Sequence, residues 1–149
     1  MRHASQAADP RRAPAGQRPL ELILARNLLT HLTTPGFLVD AEATMVFFNE
    51  AAGALLGRSF EDTGQMRAEQ WASTFGPLDA EGRPVEIERL ALTEALRAGR
   101  PAHGEFRIRV ASGESASIEA SAVPIIASAE GTSGAMILFW SRGDAGGAP

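Results

Sequence analysis

The chain has 149 residues and a formal net charge of −4, and it contains no cysteine. That length suits one domain, able to bury roughly two-thirds of the surface its unfolded chain exposes. The acidic balance, without a stripe of interleaved basic and aromatic residues, argues against a nucleic-acid surface. The missing cysteine removes disulfides, thiolate metal ligands and a cysteine nucleophile.

Lysine and tyrosine are also absent, so all 14 basic residues are Arg and Schiff-base chemistry on lysine is excluded. An Arg- and Ala-rich, Lys-free composition reads as a GC-rich coding bias and points to a bacterial source. Residues 1–18 hold Ala, Pro, Arg and Gly without apolar periodicity and are expected to form a disordered tail. Arg11 and Arg12 are not followed by an apolar stretch and a cleavage site, so they do not make a twin-arginine export signal.

Residues 19–33 read as an amphipathic helix. Leu20, Leu24, Leu28 and Leu32 recur every four residues, and Ile23 and Leu29 widen the stripe. The run is too short to cross a bilayer and is interrupted by Glu21 and Arg26. A cytoplasmic protein without membrane contact is therefore expected. The stripe either caps the domain alone or also joins a second subunit. His31 falls in the last turn, where a cation would suit the helix dipole.

Residues 36–57, GFLVDAEATMVFFNEAAGALLG, organise the rest of the chain. A short apolar run ends at Asp40, a small polar turn comes next, and residues 44–48 have the β-branched and aromatic content of a buried strand. Asn49 suits a helix N-cap, Glu50 suits the positive end of the dipole, and Gly57 suits a left-handed C-terminal stop. Residues 59–66 and 66–75 each hold a helical turn, with Trp71 and Phe75 four apart. Residues 76–84 form a Gly- and Pro-rich loop in which Asp79 and Glu81 lack the rest of a calcium-binding pattern. The helical period returns over residues 85–98 and stops at Gly99.

Alternation marks three strands after that. Phe106, Ile108 and Val110 alternate with charged residues, and a turn at Ser112, Gly113 and Glu114 leads to Ile118, Ala120 and Ala122 alternating with Ser and Glu. In the last strand Ala135, Ile137 and Phe139 form one face, and Met136, Leu138 and Trp140 the other. An antiparallel strand apolar on both faces belongs in the middle of its sheet, with helices on one side and the 19–33 helix available to cover the other. Residues 143–149 read as a disordered tail.

The order apolar strand, Asp, short turn, apolar strand, Asn, Glu-Ala-Ala, Leu-Leu-Gly resembles the opening of a PAS domain. Gly99-Arg100-Pro101 before GEFRIRV, ASIEASAVPI ending its strand on Pro124, and Gly134 opening GAMILFW extend the resemblance over residues 34–142. The chain departs from the family at Ala43, where Gly is common, so that turn is either of another type or strained. The implied fold is α+β: a five-stranded antiparallel sheet with short helices on one face and the N-terminal amphipathic helix on the other. The resemblance places the two early strands on one side of the last strand and the hairpin strands on its other side.

Ligands of PAS domains sit between the sheet and the inserted helices. The candidate lining is Phe37, Val39, Met45, Phe47, Trp71, Leu92, Phe106, Ile108, Ile118, Ala120, Ala122, Ile137 and Phe139. Ala120 and Ala122 are small there. They either leave a cavity, whose apolar lining suits a hydrophobic small molecule, or make room for Trp71, Phe75 or Phe47 to fill the core. A flavin photoadduct needs a cysteine thiol and is excluded. The family's haem sensors carry their axial His on the helix before the hairpin strands; residues 85–98 have none, and His103 reads as a solvated residue. A flavin held without a covalent bond stays open but would want polar groups for its ring edge, which this face lacks, so the expected cofactor is an apolar small molecule or none.

No nucleophile, base and acid come together, and no phosphate loop or zinc motif is present, so no enzymatic activity is expected. The resemblance implies a sensory module that binds a small apolar ligand and signals through its first helix and outer sheet face to a partner in trans. The alternative is a ligand-free dimerisation or interaction scaffold. Both imply a homodimer or docked partner, with Leu20, Leu24, Leu28, Leu32, Met136, Leu138 and Trp140 as interface residues.

Overall fold

The computed structural model describes residues 19–127 and 131–141; the tails expected at 1–18 and 143–149 lie outside the described residues. In chain order the elements are α1 (Leu20–Thr30), β1 (Gly36–Asp40), β2 (Met45–Phe48), α2 (Glu50–Leu56), α3 (Phe60–Thr63), α4 (Ala68–Phe75), a 3₁₀ turn (Ile87–Arg89), α5 (Ala91–Ala98), β3 (Ala102–Arg109), β4 (Ser115–Ile126) and β5 (Thr132–Ser141). The strands form one antiparallel sheet in the order β2-β1-β5-β4-β3. Val39 pairs with Ala135 and Phe37 with Ile137, so the doubly apolar last strand lies at the centre.

Each face of the sheet carries its own core. One holds Val39, Met45, Phe48, Ile118, Ala120, Ala122, Ala135, Ile137 and Phe139 against Trp71, Phe75, Leu92 and Ala95 of the helices. The other packs Leu22 and Leu29 of α1 onto Leu38, Val46 and Phe47, with Met136 and Leu138 half-buried beneath. Gly36 permits this approach, since a Cβ there would lie 2.7 Å from the Leu29 side chain.

Asn49 ties the two cores together. Its Oδ1 accepts from the backbone N–H of Ala52, capping α2, and from that of Gly36. Its Nδ2 donates to the carbonyls of Leu29 and Thr34 at 3.1 and 2.9 Å, with that of Leu32 at 3.4 Å. One buried side chain thus closes the end of α1, the start of β1 and the start of α2. The cap expected from sequence is present, and so is the left-handed stop at Gly57, with φ of 80°.

Three local expectations are corrected. Residues 85–98 are not one helix: Leu90 is extended, and the Thr93 hydroxyl donates to the Ile87 carbonyl at the break. The strand containing Pro124 runs on to Ile126, because β3 begins opposite Ala122 and the strand beyond has one free side, where proline is tolerated. Phe47 does not share a face with Met45. Leu38 pairs with Phe47 but Val39 with Met45, so Val46 is an extra residue in a bulge. The bulge turns both Val46 and Phe47 toward α1 and returns Phe48 to the inner core.

The β1–β2 turn takes the strained alternative. Ala43 has φ of 66°, held by its N–H bond to the Asp40 carbonyl while Asp40 Oδ1 accepts from Glu42 and Thr44. An alanine in this region costs roughly 1–2 kcal/mol. Glycine removes that strain but adds unfolded-state freedom. Ala43→Gly is therefore expected to gain about 0.5–1 kcal/mol, read as a higher urea midpoint; an unchanged or lower midpoint would mean the turn stores no strain.

Both outer strands are capped by short backbone pairings. Met45 of β2 exchanges two hydrogen bonds with Met66, at 2.7 and 3.0 Å. Arg107 of β3 does the same with Leu78, at 2.7 and 2.9 Å.

Candidate functional site

Two places concentrate features that bear on function: a cavity in the inner core and the outward side of α1. The cavity has a volume of about 60 Å³ and lies between the sheet and the helical segment. Its walls are Phe37, Met45, Phe106, Ile108, Ile118, Ala120, Ile137 and Phe139 from the sheet, and Leu56, Trp71, Phe75, Gly76, Pro77, Leu90, Ala91 and Leu92 from the helices and loop. The alternation of β3, β4 and β5 aims the sheet residues inward. Trp71 is fixed by a 3.0 Å hydrogen bond from its Nε1 to the Ala43 carbonyl and by contact with Phe37, ring centroids 6.2 Å apart. Phe37 also meets Phe139 at 6.0 Å.

Small Ala120 borders the same cavity as these rings, and Ala122 lies in the same core. A void of this size lies well below the ~300–1,000 Å³ of pockets for drug-sized ligands. The lining offers neither a charge nor a metal-ligating nitrogen. It suits an apolar molecule of a few atoms.

The geometry has counterparts among solved structures. A PAS domain from Colwellia psychrerythraea superposes with a TM-score of 0.57 at 20% identity, covering 80% of this chain and 96% of that one. The PAS domain of a two-component sensor histidine kinase gives 0.54 at 16%, covering 83% and 97%. The LOV protein of Rhodobacter sphaeroides gives 0.65 at 15%, covering 86% and 71%. The fold is the PAS fold. No family sequence model matches the chain, and no curated protein sequence does either.

Within this PAS fold the sequence-selected lining is largely brought together. Phe37, Met45, Trp71, Leu92, Phe106, Ile108, Ile118, Ala120, Ile137 and Phe139 border the cavity. Val39 and Ala122 belong to the same core but do not border the void, and Phe47 lies on the opposite side of the sheet. Leu56, Phe75, Gly76, Pro77, Leu90 and Ala91 also line it, beyond the residues that the sequence singles out. Only Phe75 carries a signal, four residues from Trp71; the others depend on how the irregular 57–90 segment folds.

The expected interface residues divide. Leu20, Leu24 and Leu28 are 65, 58 and 53% exposed, and Ile23, which the sequence places only at the edge of the stripe, is 51% exposed. Leu32, Met136 and Leu138 instead pack against the second core, because α1 itself covers that part of the sheet. Trp140 lies beyond this cover, exposed, with its ring centroid 6.4 Å from that of His103. His103 is not simply solvated: its Nε2 is 3.3 Å from a Glu119 carboxylate oxygen. Asp79 accepts from the backbone N–H of Arg83 and of Glu81, which holds its carboxyl below the usual range within its own loop. No helix among the described residues is long and apolar enough to cross a membrane.

Proposed function

We propose that this protein is a non-catalytic signalling module of the PAS type, acting in the bacterial cytoplasm as a homodimer and reporting to a protein partner in trans. The observation that carries this reading is the outward face of α1, where four large apolar side chains stand more than half exposed on a helix already docked through Leu22 and Leu29. Exposed apolar surface of that kind marks an interaction site. The similar fold in a sensor histidine kinase supports a signalling role. The test is the oligomeric state. Wild-type protein is expected to elute as a dimer on sizing and Leu24→Glu as a monomer, its stability within about 0.5 kcal/mol of the parent because the site is on the surface. Elution of both at the same volume would remove α1 from the interface.

A second reading adds a small apolar ligand in the interior, favoured by the wholly apolar lining of the 60 Å³ cavity. Photoadduct chemistry on a thiol is not open to a cysteine-free chain. A ligand would signal only by binding one arrangement of sheet and helix more tightly than another. Native mass spectrometry and an absorbance scan decide it: added mass or colour supports the ligand, and the bare chain mass supports the scaffold.

A further inference from the structure

The inner cavity has a neighbour. A wider groove of about 560 Å³ runs along β3 on the outside, between residues 103–106 and the segment that leads into α5. Leu90, Ala91 and Phe106 line both spaces. Phe106 also borders a third hollow of about 160 Å³, beside Arg107 and Ser117. Leu90 and Ala91 are buried, whereas Phe106 is only half-buried, so of the shared walls it is the one open to both sides. Beside its ring lies Gly104, where a Cβ would stand 3.4 Å from the ring and 3.6 Å from the Ala91 side chain. The missing methyl leaves room for the ring to turn aside.

The two spaces differ in chemistry. The inner one is apolar and has room for about four water-sized groups, at about 10–15 Å³ each. The outer one has the volume of a small-molecule site and a charged rim. Asp79 is answered within its own loop by Arg83, and His103 Nε2 lies 3.3 Å from Glu119. Glu86, Glu94 and Glu105 then outnumber Arg89, which leaves the groove acidic. Among the described residues no three carboxylate or imidazole groups gather as a metal site requires, so this charge is spread along the groove. Carboxylates on a rim are ordinarily just solvated. Here an apolar void lies directly behind them, past one ring.

We infer that the groove and the cavity form one site for a short amphiphile with a cationic head. An aliphatic chain of about four carbons lies behind Phe106, and its ammonium group rests among Glu86, Glu94 and Glu105. This rests on the interior-ligand reading above and adds to it the head group and the way in. The chain gains from burial while the head keeps its charge near water, so neither half is desolvated at a loss. An alcohol would lack the attraction to the carboxylates, and an acid would be repelled by them.

Trp71 lines the cavity and serves as the reporter. The chain has two tryptophans, so Trp140→Phe leaves Trp71 as the only one. Hexylamine, 1-hexanol, hexanoate and methylamine are titrated separately at neutral pH, following Trp71 emission and the melting temperature. Hexylamine is expected to shift both, with half-saturation at about tenfold lower concentration than 1-hexanol. Hexanoate is expected to bind more weakly than the alcohol, and methylamine to leave Trp71 unchanged. Glu86→Gln combined with Glu94→Gln, both at exposed positions, is expected to remove most of the preference for the amine. Gly104→Ala sets a methyl against the Phe106 ring and is expected to slow entry of the amine about threefold or more in stopped flow. An unchanged rate would move the entrance away from Phe106. Equal response to amine and alcohol, or a preference undiminished by the two glutamine substitutions, would overturn the cationic head while leaving an interior ligand in place. A methylamine response equal to that of hexylamine would overturn the chain behind Phe106. No response to any of the four would remove the interior ligand itself, so the two readings fail on different results.

Discussion

Asn49→Asp is expected to lose about 3–5 kcal/mol at neutral pH, a large share of the roughly 5–15 kcal/mol typical of a domain. The substitution is nearly isosteric and keeps the acceptor that serves Ala52 and Gly36. It replaces the amide donor with a carboxylate oxygen facing the carbonyls of Leu29, Leu32 and Thr34, at a site only 2% exposed. The two N–H bonds kept at the first oxygen compensate the buried anion only in part, because the second oxygen faces carbonyl dipoles alone. Those dipoles also raise the folded-state pKa of the new carboxyl above its unfolded value. The penalty is then full at neutral pH and shrinks as pH falls through the folded pKa, because the protonated acid can donate again. Urea unfolding from pH 7 downward, followed by tryptophan fluorescence, reads both effects. A variant as stable as the parent at pH 7, or one whose deficit grows on acidification, would mean that Asn49 does not hold α1 to the sheet.

Trp71→Ala is expected to cost about 4–6 kcal/mol: about 3–5 for the emptied volume of the buried ring and about 1 for the Ala43 carbonyl left without its donor. The loss falls where a void already exists, so the emptied space merges with the 60 Å³ cavity and becomes large enough for an aromatic guest. Indole added to the variant is expected to raise its melting temperature, while leaving the parent unchanged because Trp71 fills the space there. No rise with indole would show that the helical segment had collapsed into the gap. A loss below about 2 kcal/mol would show that Trp71 is not the packing anchor of the inner core.

The alternating strands and the caps are legible in the sequence because they depend on neighbours a few residues away. Asn49 and Gly57 bound a helix through local hydrogen bonds and local φ. Ile118, Ala120 and Ala122 alternate cleanly with polar residues, so their inward aim needs no partner to be read. The face of Phe47 is not legible in this way, because a bulge shifts the period by one residue and a one-residue shift changes the face of everything beyond it. The four residues MVFF are apolar throughout, so nothing in their pattern marks where the extra residue falls. The wall formed by Leu90, Gly76 and Pro77 is hidden for a different reason. Its position depends on backbone pairings such as that of Leu78 with Arg107, residues far apart in the chain. The exposed leucines of α1 are legible as a stripe, but not which residues dock inward, because Leu22 and Leu29 look no different from Leu24 and Leu28 until the sheet is beneath them.

Met66 and Leu78 lie like clips on the two margins of the sheet. An uncovered margin invites addition of strand after strand, the route by which sheet proteins grow into fibres. With each margin interrupted by the protein's own backbone, open-ended growth is impeded on both sides. The homodimer proposed above would use a helix surface instead, and strand addition at the margins would not compete with it.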